Sequence, residues 1–554
     1  MTAKPVRKTP EAQTPAWQKD IPRYLAFLIV LCFLLIRIGF REIPIERDEG
    51  SYAYMGQLVM KGEVPYRDFY EMKPPALYYT YGVLSALSGG DVVIMHIWMA
   101  LLVSMGGMLL FYLVRRWLDA GAGVIATLAY LVLAMTPYAS GFSIQAEHLV
   151  AFFAIAGLLA LTRGVQAGNR LMILLAGVLL CYGLLIKQNG LFFALLAMTL
   201  VPAFHLSENR SQWLSNSVRD GLWLAAGAMV PMLGFGLLMA IQGTLSDFWF
   251  WIVDYPQAYT SKIDWVMGRN LLENSLSRMY DGYAAYWIMG LAGAAGIWLA
   301  PIAWYKKWAV TGFLLMAILS VMPGKRFYGH YFLHFIPALA IGAAGLVFAV
   351  SEWGSRLLPS MKNWLAPALA VILMITTLAA HEAYYFRPNF NKILQQTYGS
   401  NPFPESRKLA DFLSARYQEG DGLLVLGSEP QLYAYTQAEC PTRHHFMGFL
   451  LKNHPKEKEW QQEVIDAVEA KPPKYVVWVQ HPLSWLPSPE ADQNIINWGW
   501  SLIHRDYTPI AWYDQTEGQS FSSIEGAEAA SYQARSKQYM VLLERTSGAG
   551  GPPN

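Results

Sequence analysis

Apolar runs long enough to cross a bilayer recur through the first 380 residues, and nothing else in the chain limits its fold so tightly. A bilayer core accepts only backbone whose polar groups are satisfied internally, so each run must be a helix of roughly 20 residues. Scanning at that length gives about eleven candidate spans. They cover residues 21–40, 92–114, 120–137, 148–161, 171–186, 191–205, 221–241, 283–304, 308–322, 332–350 and 364–380. Composition points the same way: 54% of the 554 residues are apolar or aromatic, 15% are charged, and mean hydropathy is +0.25. The expected fold class is a polytopic α-helical membrane protein.

Orientation follows from lysine and arginine, which are enriched in cytoplasmic loops. The amino-terminal tail, residues 1–20, carries Lys4, Arg7, Lys8 and Lys19, with Arg23 just beyond, and is expected to stay in the cytoplasm. The twenty residues before the first apolar run are largely polar and no small-residue cleavage site follows it, which argues against a cleaved signal peptide. Basic residues then fall in alternate loops, at Arg115 with Arg116, Arg163 with Arg170, Arg210 with Arg219, Lys306 with Lys307, and Arg356 with Lys362. An odd number of spans places residues 381–547 outside, beyond a transmembrane domain of residues 21–380.

That outer part reads as a soluble α/β domain. Residues 404–418 and 457–470 have helical spacing, whereas 422–427, 474–479 and 538–543 are short apolar strands. Its single cysteine, Cys440, excludes a disulfide within it. Residues 548–554 are expected to be disordered. The aromatic residues of the 242–281 loop, among them Trp249, Trp251, Tyr255 and Trp265, suit a membrane interface.

Charged residues gather in the loops that this topology places outside: Asp48, Glu49 and Lys73, then Glu147, then Lys187, then Lys325 and Arg326. Lysine and arginine at outer membrane ends run against the positive-inside tendency. One reading makes them interfacial anchors with solvated heads, the other functional groups. Asp48 has an alternative of its own as a helix-capping acid. His330 and His334 stand four apart, but no glutamate lies between them as in HExxH, so a zinc hydrolase is excluded.

The stretch ERDEGSYAYMGQLVMKGEVPYRDFYEMKPP, residues 46–75, resembles the first outer loop of the polyprenyl-phosphate-sugar-dependent GT-C glycosyltransferases. Among these, the stretch looks like that of the protein O-mannosyltransferases and the lipid A aminoarabinose transferases. The segments Gln145-Ala146-Glu147-His148, Leu185-Ile186-Lys187-Gln188 and Pro323 to Tyr331 (PGKRFYGHY) are similar to further segments of that family. The resemblance implies a GT-C-like fold and an inverting transfer of sugar from a polyprenyl-phosphate-linked donor to an envelope lipid, glycan or protein. It implies an inner-membrane location with the catalytic cavity and C-terminal domain on the periplasmic or extracellular side. Asp48 then matches the general base, with Glu49 and Glu147 as supporting carboxylates. Lys73, Lys187, Lys325 and Arg326 would hold the donor phosphate, and Tyr52, Tyr66, Tyr328, His330 and Tyr331 the substrate. In the aminoarabinose transferases a glutamate directly precedes the lysine. Met72 intervenes here, which leaves Glu71 without a carried-over role.

Such chemistry requires cations opposite a phosphate leaving group and a carboxylate beside the acceptor hydroxyl. No cofactor is certain. A divalent metal held by Asp48, Glu147 and His148 is a further expectation, as is contact with membrane lipids. A transporter or flippase of lipid-linked glycans is the alternative, although no repeat halves are evident. Basic runs with interleaved aromatics are missing, and nucleic acid is not an expected partner.

Overall fold

The computed structural model describes residues 16–208, 210–260, 263–516 and 520–546. The expectations for the first fifteen residues and for 548–554 lie outside the described residues. The chain opens with α1 (Ala16–Ile38). Residues that hydropathy leaves as a loop then fold into two further helices, α2 (Arg47–Met60) and α3 (Ala76–Ser88). An apolar series follows: α4 (Val92–Trp117), α5 (Ala120–Leu133), α6 (Ala146–Ala167), α7 (Arg170–Ile186), α8 (Leu191–Glu208) and α9 (Trp213–Gln242). After α10 (Leu245–Trp249), α11 (Tyr255–Thr260) and α12 (Trp265–Tyr280), the bundle is completed by α13 (Ala284–Gly296), α14 (Trp304–Val321), α15 (Ile336–Gly354) and α16 (Met361–Ala380). Every expected span coincides with a helix. Among the described residues, seven helices are long and apolar enough to cross a membrane, and residues 120–133, 170–186 and 284–299 form shorter apolar helices.

Side-chain caps start several of these helices: Asp91, Asp119 and Asn169 accept from the backbone N–H groups of Val93, Ala122 and Met172. Between helices, small residues allow close packing where apolar burial gives no driving force in lipid. A Cβ on Gly177 would lie 2.0 Å from the Leu224 carbonyl oxygen of α9, and one on Gly293 would lie 1.9 Å from the Gly342 oxygen of α15. Those two crossings exclude any side chain.

Beyond the bundle, α17 (Glu382–Phe386) and α18 (Phe390–Tyr398) lead into α19 (Phe403–Ser414), β1 (Leu423–Leu426), α20 (Gln431–Thr436), α21 (Glu457–Ala470) and β2 (Tyr475–Gln480). After these come α22 (Pro482–Trp485), α23 (Asn494–Asp506), β3 (Tyr507–Thr516), β4 (Ser520–Glu525) and β5 (Tyr539–Arg545). The five strands form one sheet of order β1-β2-β5-β3-β4, parallel between β1 and β2 and antiparallel elsewhere. Sequence patterning finds β1, β2 and β5, whose centres are buried. It misses β3 and β4, where polar residues such as Asp514, Ser522 and Ser523 interrupt the apolar pattern.

The sheet domain docks through rings. Tyr70 of the first loop stacks on Trp251 (4.0 Å, 11°), Trp251 on Trp460 (5.4 Å, 22°), and Trp460 on His454 (5.0 Å, 7°). This corrects the membrane-interface expectation for Trp251 and Tyr255, which are buried in the docking contact, while Trp249 and Trp265 remain 58% and 69% exposed. Beside the stack, the Tyr70 hydroxyl is hydrogen-bonded to His444 Nδ1. His444 Nε2 lies 3.1 Å from Glu463, which also receives two hydrogen bonds from Arg443.

Partial burial opposes the charge of Glu463, but hydrogen bonds from His444 and Arg443 prevail and hold its carboxyl down to about 2. Burial also lowers His444 below its ordinary value. Both shifts mean that at these two groups the unfolded chain binds more protons in acid, so their contribution to stability falls as pH drops below 6.5 and falls further from 4.5 toward 2. In tryptophan-fluorescence melts the midpoint difference between wild type and Glu463→Gln should therefore be larger at pH 7 than at pH 4. In Glu463→Gln the pH 7 midpoint should already be lowered and its acid dependence shallower.

Candidate active site

The first turn of α2 is fixed by Glu46, whose carboxylate caps it by accepting from the N–H groups of Asp48 (3.0 Å) and Glu49 (2.8 Å). Gln145 Nε2 donates to the same glutamate at 2.9 Å. Burial and the neighbouring Asp48 push the Glu46 carboxyl up to about 8. Successive helical residues are about 100° apart, so the two acids that follow point in different directions. The Asp48 side chain is 41% exposed and faces a cavity of about 390 Å³. Glu49 is fully buried, with Oε1 2.5 Å from His96 Nε2 on α4 and accepting from the Ile144 N–H at 2.9 Å. Glu49, expected as a supporting carboxylate, is thus a brace between helices and does not line the cavity.

The cavity floor comes from three separate parts of the chain. Lys73 Nζ contacts both oxygens of Glu71, at 2.9 and 3.0 Å, and lies 5.8 Å from the Tyr52 ring centre. Burial opposes the charge on Lys73, but Glu71 and Asp48 more than offset it and raise its pKa. The bend at Met72 and Lys73 brings the two side chains together despite the intervening residue, and Glu71, which also lines the cavity, is a site residue that sequence reasoning set aside.

Lys187 follows α7, ion-paired with buried Glu147 at the start of α6, with its ammonium 4.3 Å above the Tyr331 ring centre. His330 stands between the acids, with Nε2 3.9 Å from Asp48 and 3.8 Å from Glu147. Tyr328 and His330 stack at 5.8 Å beside them.

Asp48, Tyr52, Lys73, Lys187, Tyr328, His330 and Tyr331 therefore line one cavity, with Glu147 directly behind Lys187. Other expected residues are elsewhere. Tyr66 is buried and donates to the Lys73 carbonyl at 2.7 Å, bracing the loop from outside the cavity. Lys325 lies 5.1 Å from the Trp265 ring centre and Arg326 approaches the Tyr328 hydroxyl at 3.4 Å. Neither lines the cavity. Arg278 does, stacked 4.0 Å over Tyr138, and so do Arg47 and Lys452. Arg47 lies in the 46–75 stretch but was given no role there, and no motif marks Arg278 or Lys452, whose places depend on α12 and on the docking of the C-terminal domain. Its residues Phe446, Phe449 and Lys452 help to line the cavity.

The expected metal ligands do not fit a shared ion. His148 Nε2 lies 3.1 Å from both Arg37 and the Gly141 carbonyl oxygen, and is committed there. The Glu147 oxygen nearest His330 is the one that carries the Lys187 ammonium, so a divalent cation there would meet a positive charge. No cluster of three or more metal-ligating side chains occurs among the described residues.

Residues 72–237 match the model of the family described as dolichyl-phosphate-mannose-protein mannosyltransferase. That stretch includes Lys73, Glu147 and Lys187 but neither Asp48 nor the 323–331 segment. No curated protein matches the sequence. Among solved structures, apo ArnT from Cupriavidus metallidurans matches with a TM-score of 0.57 and 15% identity over 96% of this chain and 100% of that one. The same protein bound to undecaprenyl phosphate gives 0.56. The archaeal oligosaccharyltransferase AglB from Archaeoglobus fulgidus, in complex with an inhibitory peptide and a dolichol-phosphate, gives 0.50 at 12% identity, over 91% and 75% of the two chains. At these identities the likeness is one of fold.

Breaking the buried Lys187–Glu147 pair from one side leaves an uncompensated charge. Lys187→Met or Glu147→Gln alone should destabilise the protein by about 3–5 kcal/mol. The double variant should recover much of that loss, as read by thermal unfolding of the detergent-solubilised protein.

Proposed function

We propose that this membrane glycosyltransferase, GT-C in fold, moves a sugar from a polyprenyl-phosphate-linked donor to a hydroxyl group of an envelope lipid, glycan or protein. The proposed location is the inner membrane, with the cavity and C-terminal domain on its outer side. The alternation of basic loops supports that orientation. The observation that carries the reading is one cavity in which the Asp48 carboxylate faces two lysines, Lys187 buried and Lys73 partly buried, each held by its own acid. Support also comes from the neighbours, since ArnT has been solved with undecaprenyl phosphate and AglB with a dolichol-phosphate.

In this reading the donor phosphate sits against Lys73 and Lys187. Glu71 and Glu147 keep those ammonium groups in place before substrate arrives, so little reorganisation is needed when charge develops. Asp48 accepts the proton of the acceptor hydroxyl as its oxygen bonds to the anomeric carbon. The bond from that carbon to the phosphate oxygen breaks, and the electron pair leaves with the lipid phosphate. Attack from the face opposite the phosphate gives inversion. His330 stands where it can hydrogen-bond the sugar or the acceptor, and the Tyr52 and Tyr331 rings bound the sugar site.

With purified full-length protein and a synthetic polyprenyl-phosphate sugar, Asp48→Asn should lower kcat by roughly 10²- to 10⁴-fold and leave donor affinity within about twofold. Lys73→Gln should mainly weaken donor binding, since it removes a phosphate contact. Full kcat in Asp48→Asn would remove the general base from the account.

A further inference from the structure

Glu49 ties α2 to the bundle, but Arg47 before Asp48 and Gly50, Ser51 and Tyr54 after it are held by the C-terminal domain. Arg47 forms an ion pair with Glu429 at 2.6 Å, donates through Nε to the Ser428 carbonyl, and lies 5.5 Å from the Phe403 ring centre. Glu429 is fully buried, and its other oxygen accepts from Gln431 Nε2 at 2.6 Å. Three residues after Asp48, Ser51 Oγ is 2.9 Å from His445 Nε2. Between them, Gly50 touches α20 so closely that a Cβ would lie 2.5 Å from both Cα and Cβ of Gln431. One turn further, Tyr54 stacks on Tyr433 at 4.9 Å.

A partly buried guanidinium next in sequence to a catalytic carboxylate has two possible partners. Paired with Asp48, it would hold that carboxylate as a weaker base and occupy the oxygen needed for the acceptor proton. Paired with a buried acid on a different domain, it leaves Asp48 to the cavity and fixes the helix that carries it. The structure has the second arrangement.

We infer that Glu429 is a positioning residue of the transfer reaction: by engaging Arg47 it keeps the guanidinium off Asp48 and seats the first turn of α2. This rests on Asp48 being the base. The C-terminal domain would then be part of the catalytic apparatus, acting through α2 without touching the reacting atoms.

The test uses full-length protein and the same donor assay. Glu429→Gln keeps shape and hydrogen-bonding capacity but frees Arg47. Its kcat should fall at least 10-fold with donor KM within twofold, and the acid limb of its kcat–pH profile should move to lower pH as Arg47 turns to Asp48. Removing both charges in Arg47→Gln/Glu429→Gln should recover a third or more of the lost kcat, a rescue that a merely structural defect would not show. Should Glu429→Gln fail to fold, Glu429→Asp keeps the charge but shortens the reach to Arg47 and should lower kcat at unchanged donor KM. Wild-type kcat in Glu429→Gln, or a loss that the double variant does not relieve, would overturn the inference while leaving Asp48 as base. Full activity in Asp48→Asn would overturn both.

Discussion

Charge removed from water at the end of an apolar bundle has to be matched, and that requirement organises the whole cavity end of this protein. Lys73 is matched by Glu71, Lys187 by Glu147, Arg47 by Glu429, and Glu49 is met by His96. Each match joins segments far apart in sequence or folds a loop back on itself. The pairs are costly to break from one side, so they hold α2, the 61–75 loop, the ends of α6 and α7, and the C-terminal domain in one arrangement. Asp48 differs: its carboxylate is exposed in the cavity, and its nearest ion-pairing group is His330 at 3.9 Å.

How far this was legible from sequence depended on which physical rule applied. Hydrophobic runs placed every helix of the bundle, since a bilayer-length apolar run has few other solutions. Short buried strands such as Tyr475–Gln480 could be read for a similar reason. Single-residue directions could not. Asp48 and Glu49 are neighbours in sequence yet face opposite surroundings, and Glu147 and His148 likewise part, one to Lys187 and the other to Arg37. Lys325 and Arg326 had the right charge in the right segment, but the turn around Gly324, at φ +76°, carries them out of the cavity lining. Glu71 was set aside because its spacing was compared with a motif, whereas the bend at Met72 and Lys73 brings it to the lysine.

The C-terminal domain is the part that sequence described least well in functional terms. Its fold was partly readable from strand and helix periods, whereas its docking depended on a stack of aromatic rings contributed by the first loop, by the segment after α9 and by α21. That stack covers Trp251, which composition alone assigned to lipid. Docking then brings Phe446, Phe449 and Lys452 to the cavity and Glu429 to Arg47. Two faces of the same domain thereby shape the site, one as wall and one as support.

The central claim is that this cavity consumes a lipid-linked sugar. It is tested most directly by mass spectrometry of polyprenyl-linked sugars in cells that lack the protein, complemented with wild type or with Asp48→Asn. The account predicts that one lipid-linked sugar accumulates in the deletion, is cleared by wild type, and persists with Asp48→Asn. Clearance by Asp48→Asn to the wild-type level would contradict it.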